Sequence, residues 1–299
     1  MASITQSGKQ VMEGREAFGR EKKELKEGLR EMCSEGIEKV CADPAQLTAY
    51  LNMMATAPGY TSRNTMLIFQ QMPEATFVES PKGWYDAGRY VPEPMKDKGI
   101  QIIKPQETQR GTFFDPKMLY DISQTVGRPV KKPTIQLAED SPDMQRAFDA
   151  LVESSPVPVV TEDSLGVPAV YDPHSREILV SDAFTDYETF TAFVNAATHA
   201  SLHREDMRAS GGADRGYDPG DFEFITTCAT YVVSRRFGVP MPGMDFGATL
   251  DTLGMMDNEG KDAMLKIIGD EAKKCGEKVQ DKIRPKAKGK GARPLDYAR

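Results

Sequence analysis

The stretch FVNAATHASLHR, Phe193–Arg204, decides how the second half of this chain is interpreted. Thr185 precedes it as a helix-capping residue, and the apolar spacing predicts one long helix over residues 185–208. His199 and His203 are four residues apart, so on a helix both imidazoles project from the same side. The sequence therefore predicts a helix that carries two histidines on one face.

Two imidazoles at this spacing have two interpretations. They can hold a zinc ion if a third ligand comes from elsewhere, and the choices are Asp221 and Glu223. The metal alternative that we keep is the set His199, His203 and Glu223. In the other interpretation His199 faces the core and His203 packs near the helix end, with no cofactor bound. The spacing alone leaves both open.

Composition narrows the class of protein. The chain has 299 residues, 39% of them hydrophobic, which is enough for about two domains with real cores. The four cysteines are scattered without a C-x-x-C pair, so we expect reduced thiols in a cytoplasmic protein and no zinc ribbon. We expect no membrane association, because no run approaches the roughly 20 apolar residues of a membrane span.

Charge is distributed unevenly along the chain. Residues 1–138 carry 19 basic and 17 acidic side chains, residues 139–247 carry 7 and 19, and residues 248–299 carry 12 and 9. The net charges are therefore +2, −12 and +3. Because phosphate backbones are attracted to basic surfaces, we expect any nucleic-acid contact in the first or last segment.

The patterning predicts an α+β protein with several successive parts. A charged helical arm is followed by a small α+β domain, whose helices include one capped by Ser62 and one that begins at Pro81 after the cap Ser80. An extended linker leads to a second α+β domain, which contains the long helix. The predicted parts are the arm 1–43, the first domain 44–105, the linker 106–138, the second domain 139–255, an amphipathic helix 256–283 and a basic tail 284–299.

The first domain reads YTSRNTMLIFQQMPEATFVESPKGWYDAGRYV over residues 60–91 and KDKGIQIIKP over residues 96–105. These segments resemble the N-terminal single-stranded-DNA-binding domain of ArdC-type anti-restriction proteins. That family often reads Y-S-x-x-N-x-x-L-I, then W-x-x-x-G-R-x-V and K-G-E-K-G-I, and the segment YDISQTVG resembles its D-I-S-Q-T segment. Here "PEPMKDKG" replaces the short K-G-E-K-G turn and is two residues longer. The matching residues are Tyr60, Asn64, Leu67, Ile68, Trp84, Gly88, Arg89, Val91, Lys98, Gly99 and Ile100.

The resemblance implies a surface for single-stranded DNA. Such proteins stack bases on aromatic rings and follow the phosphates with arginine and lysine. Trp84 is the sole tryptophan, and it has two interpretations: a base-stacking residue or a core residue. The residues expected to contact the DNA are Tyr60, Arg63, Asn64, Trp84, Arg89 and Lys98.

The second domain resembles the zincin-like peptidase domain of ImmA/IrrE type that accompanies the first. Zincins carry H-E-x-x-H, in which two histidines hold zinc and the glutamate activates water. By the resemblance the first histidine becomes Asn195, the glutamate becomes Ala196, and the second histidine is retained as His199. A third ligand from the next helix falls on Thr227. The resemblance thus implies a former metal-site helix without catalytic residues.

Three functions remain after these observations. The leading hypothesis is a single-stranded-DNA-binding anti-restriction protein of a mobile element or phage, with a catalytically silent peptidase-like domain and no cofactor. An active zinc metallopeptidase is the first alternative. The second is an acidic protein that binds and inhibits a host defence nuclease without touching DNA, since an acidic surface can imitate DNA.

Overall fold

A computed structural model describes residues 4–108, 111–132, 134–212, 216–242, 244 and 246–284. No helix in these ranges is both long and apolar enough to cross a bilayer. The helices are α1 (Ile4–Val40), α2 (Pro44–Thr56), α3 (Ser62–Gln71), α4 (Pro81–Asp86), α5 (Pro142–Glu153), α6 (Asp186–Ala209), α7 (Glu223–Phe237), α8 (Gly247–Gly254) and α9 (Asn258–Ile283). The strands are β1 (Val78–Glu79), β2 (Arg89–Tyr90), β3 (Ile100–Thr108), β4 (Gly111–Asp121), β5 (Val126–Gly127), β6 (Val159–Thr161), β7 (Ala169–Asp172) and β8 (Glu177–Val180).

Local sequence explains where most helices begin. A side chain just before the helix accepts a backbone N–H of the first turn, and proline often follows because its missing N–H costs nothing there. Ser80 caps α4 as predicted, but Thr61 rather than Ser62 caps α3. Side chains also cap α2, α5, α6 and α9, and these residues are Asp43, Ser141, Thr185 and Asp257.

The expected linker 106–138 is largely part of the first domain. Residues 111–119 of β4 pair with β3 in an antiparallel hairpin, and its last two residues, Tyr120 and Asp121, pair with β1. β5 pairs with β2 in a separate two-stranded ribbon. The expected boundary at residue 105 therefore falls inside a hairpin strand, and we call residues 44–127 the N-terminal unit.

The predicted charged arm is only partly solvated. The C-terminal half of α1 packs on α2, α3 and α9 because four apolar side chains recur there at helical spacing. These buried side chains are Leu29, Cys33, Ile37 and Val40. The basic tail predicted over residues 284–299 lies outside the described residues except for Arg284.

The C-terminal unit, residues 142–254, surrounds α6. β6 pairs in parallel with β8, β7 pairs with β8 antiparallel, and α6 packs against this small sheet and against α7. α9 packs on α5 and α7 and also on α1 and α3, so it joins the two units. One continuous hydrophobic cluster includes residues of both units. This mixture of helices and small sheets confirms the predicted α+β class.

Candidate functional site

Helix α6 presents an unusually polar buried face to α7. It begins with a capping box in which Thr185 and Glu188 exchange hydrogen bonds, and Phe190 and Phe193 anchor its first half in the core. The two histidines of the second half are also buried, His199 with 6% and His203 with 1% of its surface exposed. Buried polar groups need hydrogen-bond partners, so the partners of these rings define the site.

His199 is held by side chains on both ring nitrogens. Its Nδ1 lies 2.7 Å from the Tyr217 hydroxyl, and its Nε2 lies 3.2 Å from Thr226 Oγ1 and 3.8 Å from a carboxylate oxygen of Glu223. Burial lowers the pKa of His199, and the Glu223 charge opposes that shift only in part. The imidazole is therefore neutral near pH 7.

The hydrogen-bond directions follow from the single proton of each hydroxyl. Thr226 donates to the backbone carbonyl of Glu223, so its oxygen accepts the Nε2–H of His199. The other ring nitrogen then accepts the hydroxyl proton of Tyr217, whose pKa is raised chiefly by burial, so it stays protonated. In this assignment neither nitrogen of His199 offers a free lone pair to a metal.

His203 is positioned by aromatic residues. Its Nδ1 lies 2.7 Å from the Tyr171 hydroxyl, and its ring stacks on Tyr217 with centroids 4.5 Å apart. The other face of Tyr217 stacks on Phe222 at 4.9 Å. Tyr217 is thus inserted between two rings while its hydroxyl binds His199. No local pattern indicated this role, because Tyr217 lies in a loop before α7.

The positions that the resemblance assigned to the metal site can be placed. Asn195 is half-buried on α6, and Ala196 is buried with no functional group to activate water. Thr227, expected at the third ligand position, instead donates to Glu223 Oε1 at 3.1 Å. The hydroxyl that faces His199 belongs to Thr226, one residue earlier, so the expected register of α7 was off by one.

This donor set does not fit a divalent transition metal. The groups around His199 are two hydroxyls and one carboxylate, and the carboxylate side chain is 60% exposed. Within the described ranges no three His, Cys, Asp or Glu residues are grouped to hold a metal ion. The alternative set His199, His203 and Glu223 is therefore not assembled: only the first and last are adjacent.

The residues expected to contact DNA have mostly structural partners. Trp84 is fully buried, its Nε1–H donates to the Tyr120 carbonyl at 2.8 Å, and its ring packs edge-on against Phe77. A base cannot stack on it in this conformation, which corrects the stacking role. Arg89 donates to Thr125 Oγ1 and to the carbonyls of Ile122, Thr125 and Arg128.

Asn64 completes the open edge of β3. Its amide accepts the N–H of Ile103 at 3.0 Å and donates to the carbonyl of Ile103 at 2.8 Å. Gln71, two turns later on α3, makes the same two bonds with Gln101. Both amides take the place of a neighbouring strand, because they pair with the N–H and C=O groups at this edge of β3. Asn64 is therefore a structural residue and not a base-contacting one.

The other three expected DNA contacts differ in accessibility. Tyr60 is half-buried, and its hydroxyl donates to the Val78 carbonyl. Arg63 is 70% exposed but is paired with Asp262 of α9 through both Nε and Nη2. Lys98 is exposed. Of the six residues expected at the interface, Lys98 has the clearest access to a ligand.

The D-I-S-Q-T segment forms a compact turn. The buried carboxylate of Asp121 accepts the N–H groups of Thr76, Phe77 and Ser123. Gln124 closes a capping box with Asp121 and donates to the Lys98 carbonyl. The segment thus fixes the junction of β1 and β4, a structural task that its sequence resemblance did not reveal.

Exposed aromatic residues lie elsewhere on the N-terminal unit. Tyr85 on α4 is 76% exposed and Tyr90 on β2 is 60% exposed. Tyr90 pairs across the ribbon with the exposed Val126, and the exposed Arg128 follows β5, with its side chain next to Gly88. Together with Lys82 of α4, these form what we call the ribbon surface: Lys82, Tyr85, Tyr90, Val126 and Arg128.

These elements define an α+β protein whose long central helix carries a buried, hydrogen-bonded histidine pair and whose N-terminal unit exposes aromatic and basic side chains. No family model matches the sequence, and no curated protein matches it.

Solved structures give the fold a counterpart. The chain is similar to the Mn(II)-bound crystal structure of the antirestriction protein ArdC from the R388 plasmid, with a TM-score of 0.55 and 14% identity over 85% of this chain and 98% of that chain. The metal-free structure of that protein matches with a TM-score of 0.48 and 16% identity, over 75% and 85%. The chain therefore has an ArdC-like fold, which confirms the expectation from sequence.

Proposed function

We propose that this protein binds single-stranded DNA and counters host restriction, with a C-terminal unit that has no catalytic role. The solved structure that shares its fold is named an antirestriction protein, and that protein is matched over nearly its whole length. The observation that carries the DNA-binding part is the ribbon surface, which combines two exposed aromatic rings with two exposed cations. A mobile element or phage is the expected source of such a protein.

The ribbon surface has the chemistry that single strands require. Tyr85 and Tyr90 offer exposed rings on which unpaired bases can stack, while Lys82 and Arg128 can follow the phosphates. Duplex DNA keeps its bases stacked inside the helix and offers these rings no partner. The surface therefore favours single strands, with little dependence on base sequence.

The C-terminal unit supports a non-catalytic role for a separate reason. Peptide hydrolysis by a zincin needs a metal with an open position and a carboxylate that takes a proton from water. Ala196 supplies no such carboxylate, and both nitrogens of His199 are engaged by hydroxyl groups. The side chains around His199 therefore favour a non-catalytic role over the peptidase alternative.

A second candidate function is protein binding by the acidic middle segment. Residues 139–247 carry a net charge of −12 from 7 basic and 19 acidic side chains. Exposed carboxylates there include Glu139, Asp140, Asp163 and Asp182. Such a surface can imitate nucleic acid to a restriction enzyme, and this candidate predicts antirestriction without DNA binding.

Fluorescence anisotropy of a labelled, unstructured oligonucleotide tests the proposal. Tyr90→Ala should weaken binding by about 1–3 kcal/mol through the lost stacking. Lys82→Gln should lower the slope of log affinity against log salt by about 1, because one fewer counterion is released. Lys266→Gln is the matched control, since both lysines are exposed and each pairs with an aspartate four residues later.

Two results decide between the candidates. Binding that is weakened by Tyr90→Ala and Lys82→Gln but unchanged by Lys266→Gln supports the ribbon surface. An absence of any complex at low salt contradicts DNA binding and leaves the acidic protein-binding candidate, which is tested by mixing the protein with a purified restriction enzyme.

A further inference from the structure

A basic cavity of about 160 Å³ lies where the two units meet, away from the His199 cluster and the ribbon surface. Its walls come from the end of α2, the segment after β5, the end of α7 and the end of α9. Four of its lining side chains are cationic and none is acidic: Lys132, Arg235, Arg236 and Arg284. The rest of the lining is neutral, so the cavity has a strongly positive potential.

The four cations bind neutral oxygens and form no ion pair with a described carboxylate. Each guanidinium has five N–H donors, and the bonds to described residues engage one donor of each arginine. The bonds are Lys132 to the carbonyls of Thr56 and Thr76, Arg235 to Asn52 Oδ1 at 3.0 Å, Arg236 to Gln280 Oε1 at 2.5 Å, and Arg284 to the Thr134 carbonyl at 3.0 Å.

Burial makes this arrangement costly without an anion. Desolvation lowers the pKa of Lys132 to about 8, and the charge of Asp121 only partly opposes it. Desolvation also lowers the pKa of Arg236 to about 10, with Glu277 and Asp281 acting in the opposite direction. Like charges held together in a partly buried space destabilise the fold, and a bound anion would offset that effect.

We propose that this cavity is a binding site for a phosphate monoester. Planar guanidinium groups match the oxygens of phosphate with paired hydrogen bonds, and Arg235, Arg236 and Arg284 all line the cavity. A cavity of this size is comparable to the roughly 150 Å³ site that holds a benzene ring. It therefore takes the phosphate and only a small part of the attached molecule.

Part of the cavity lining is apolar. Pro58, Ile135 and Phe237 contribute carbon surface, which suits the sugar or ring that carries the phosphate. Both a small phosphorylated metabolite, such as a nucleoside monophosphate, and the 5′ end of a DNA strand present this group. The two sources share one chemistry and are separated by experiment.

Isothermal titration calorimetry of the full chain tests the site, at constant ionic strength in a phosphate-free buffer. The probes are inorganic phosphate, a nucleoside monophosphate, and one oligonucleotide carrying either a 5′-phosphate or a 5′-hydroxyl. We expect saturable binding of a phosphate monoester, weakened about tenfold by Arg235→Gln and by Arg284→Gln, since each loses a charge-assisted bond. Arg208→Gln, at a highly exposed arginine of α6, should leave binding unchanged.

The probes that bind distinguish a small phosphorylated metabolite from the 5′ end of a DNA strand. Binding of the nucleoside monophosphate identifies a small ligand, and a preference for the 5′-phosphate over the 5′-hydroxyl oligonucleotide identifies a strand end. The proposal is contradicted if no phosphate-bearing probe binds, or if the two oligonucleotides bind equally and neither variant weakens binding. Lys82→Gln should not change phosphate binding, so failure here is distinguishable from failure of the proposed DNA surface.

Circular dichroism and thermal unfolding show whether weaker binding by a variant reflects the site or a loss of the fold. The far-ultraviolet circular dichroism of Arg235→Gln should match that of the unmodified protein, because Arg235 is exposed. Saturating ligand should raise the melting temperature of the unmodified protein more than that of either variant, by the linkage between binding and folding. Equal increases in all three proteins would contradict the site.

Discussion

The N-terminal unit and the His199 cluster use similar polar side chains in opposite ways. In the N-terminal unit, Asn64, Asp121 and Arg89 bind backbone groups, so each fixes how the chain is folded. In the cluster, the hydrogen bonds of His199 go to other side chains, Tyr217 and Thr226. The motif residues of the N-terminal unit thus have a structural role, which is to bind backbone groups.

The comparison also separates two kinds of polar side chain by what their loss would expose. If a side chain that pairs with an open strand edge is substituted, the backbone N–H and C=O groups at that edge lose their hydrogen-bond partners. A metal ligand can be exchanged once other side chains fill the same space with satisfied hydrogen bonds. If this contrast is correct, the free energy of unfolding should respond far more to the backbone-binding residues than to the cluster.

Asp121→Ala should have the largest effect. It removes the acceptor of three backbone N–H groups in a buried position and should lower the free energy of unfolding by about 3–5 kcal/mol. Urea denaturation followed by circular dichroism measures it. Asp97→Asn, at an exposed position, is the control and should change little. A loss below about 1 kcal/mol for Asp121→Ala would break the comparison.

Asn64→Ala should be the next most disruptive change. It leaves the N–H and carbonyl of Ile103 without their partner on the open edge of β3, at a cost of about 2–3 kcal/mol. Hydrogen exchange should show faster exchange at Ile103 while the Gln101 amide, held by Gln71, stays protected. Unchanged protection at Ile103 would show that Asn64 is not the edge partner.

Tyr217→Phe should cost less, about 1–2 kcal/mol. The ring keeps its stacking with His203 and Phe222, and only the hydroxyl bond to His199 Nδ1 is lost. Tyr85→Phe is the control because that ring is largely exposed. A loss as large as that of Asp121→Ala would place the cluster among the residues that fix the fold.

The pH dependence of stability should show the smallest effect. Burial lowers the pKa of His199 below its ordinary 6.5, so the neutral ring contributes stability above that value, which is lost as the pH falls through the lowered pKa. His199→Gln should therefore lose less stability than the unmodified protein between about pH 7.5 and 5. His174→Gln, at an exposed histidine, should keep the original pH dependence; identical curves for all three would contradict this role.

Local signals predicted the helices well. Thr185 and the apolar spacing predicted a helix over residues 185–208, and α6 spans Asp186–Ala209, because caps and periodicity are properties of neighbouring residues. β4 was missed as a partner of β3 because Pro105 and Pro116 obscure the strand pattern, and pairing joins residues distant in sequence.

The candidate site was predictable only in part. The resemblance assigned a lost metal ligand to Asn195 and a lost general base to Ala196, but the partners of His199 come from a loop and from one turn of α7, whose register no local pattern fixes. Trp84 could not be assigned from sequence either, because a tryptophan side chain suits both base stacking and packing in the core. Only the packing of Phe77 and Tyr120 around it decides for the core.

The central claim is that hydroxyl groups engage both ring nitrogens of His199, which leaves the ring no lone pair for a metal ion. Titration of the purified protein with Mn(II) and with Zn(II), followed by calorimetry and elemental analysis, tests it most directly. We predict no stoichiometric binding of either ion that depends on His199, and a melting temperature unchanged by a chelator. About one ion per chain, lost in His199→Ala but kept in His174→Ala, would contradict the account.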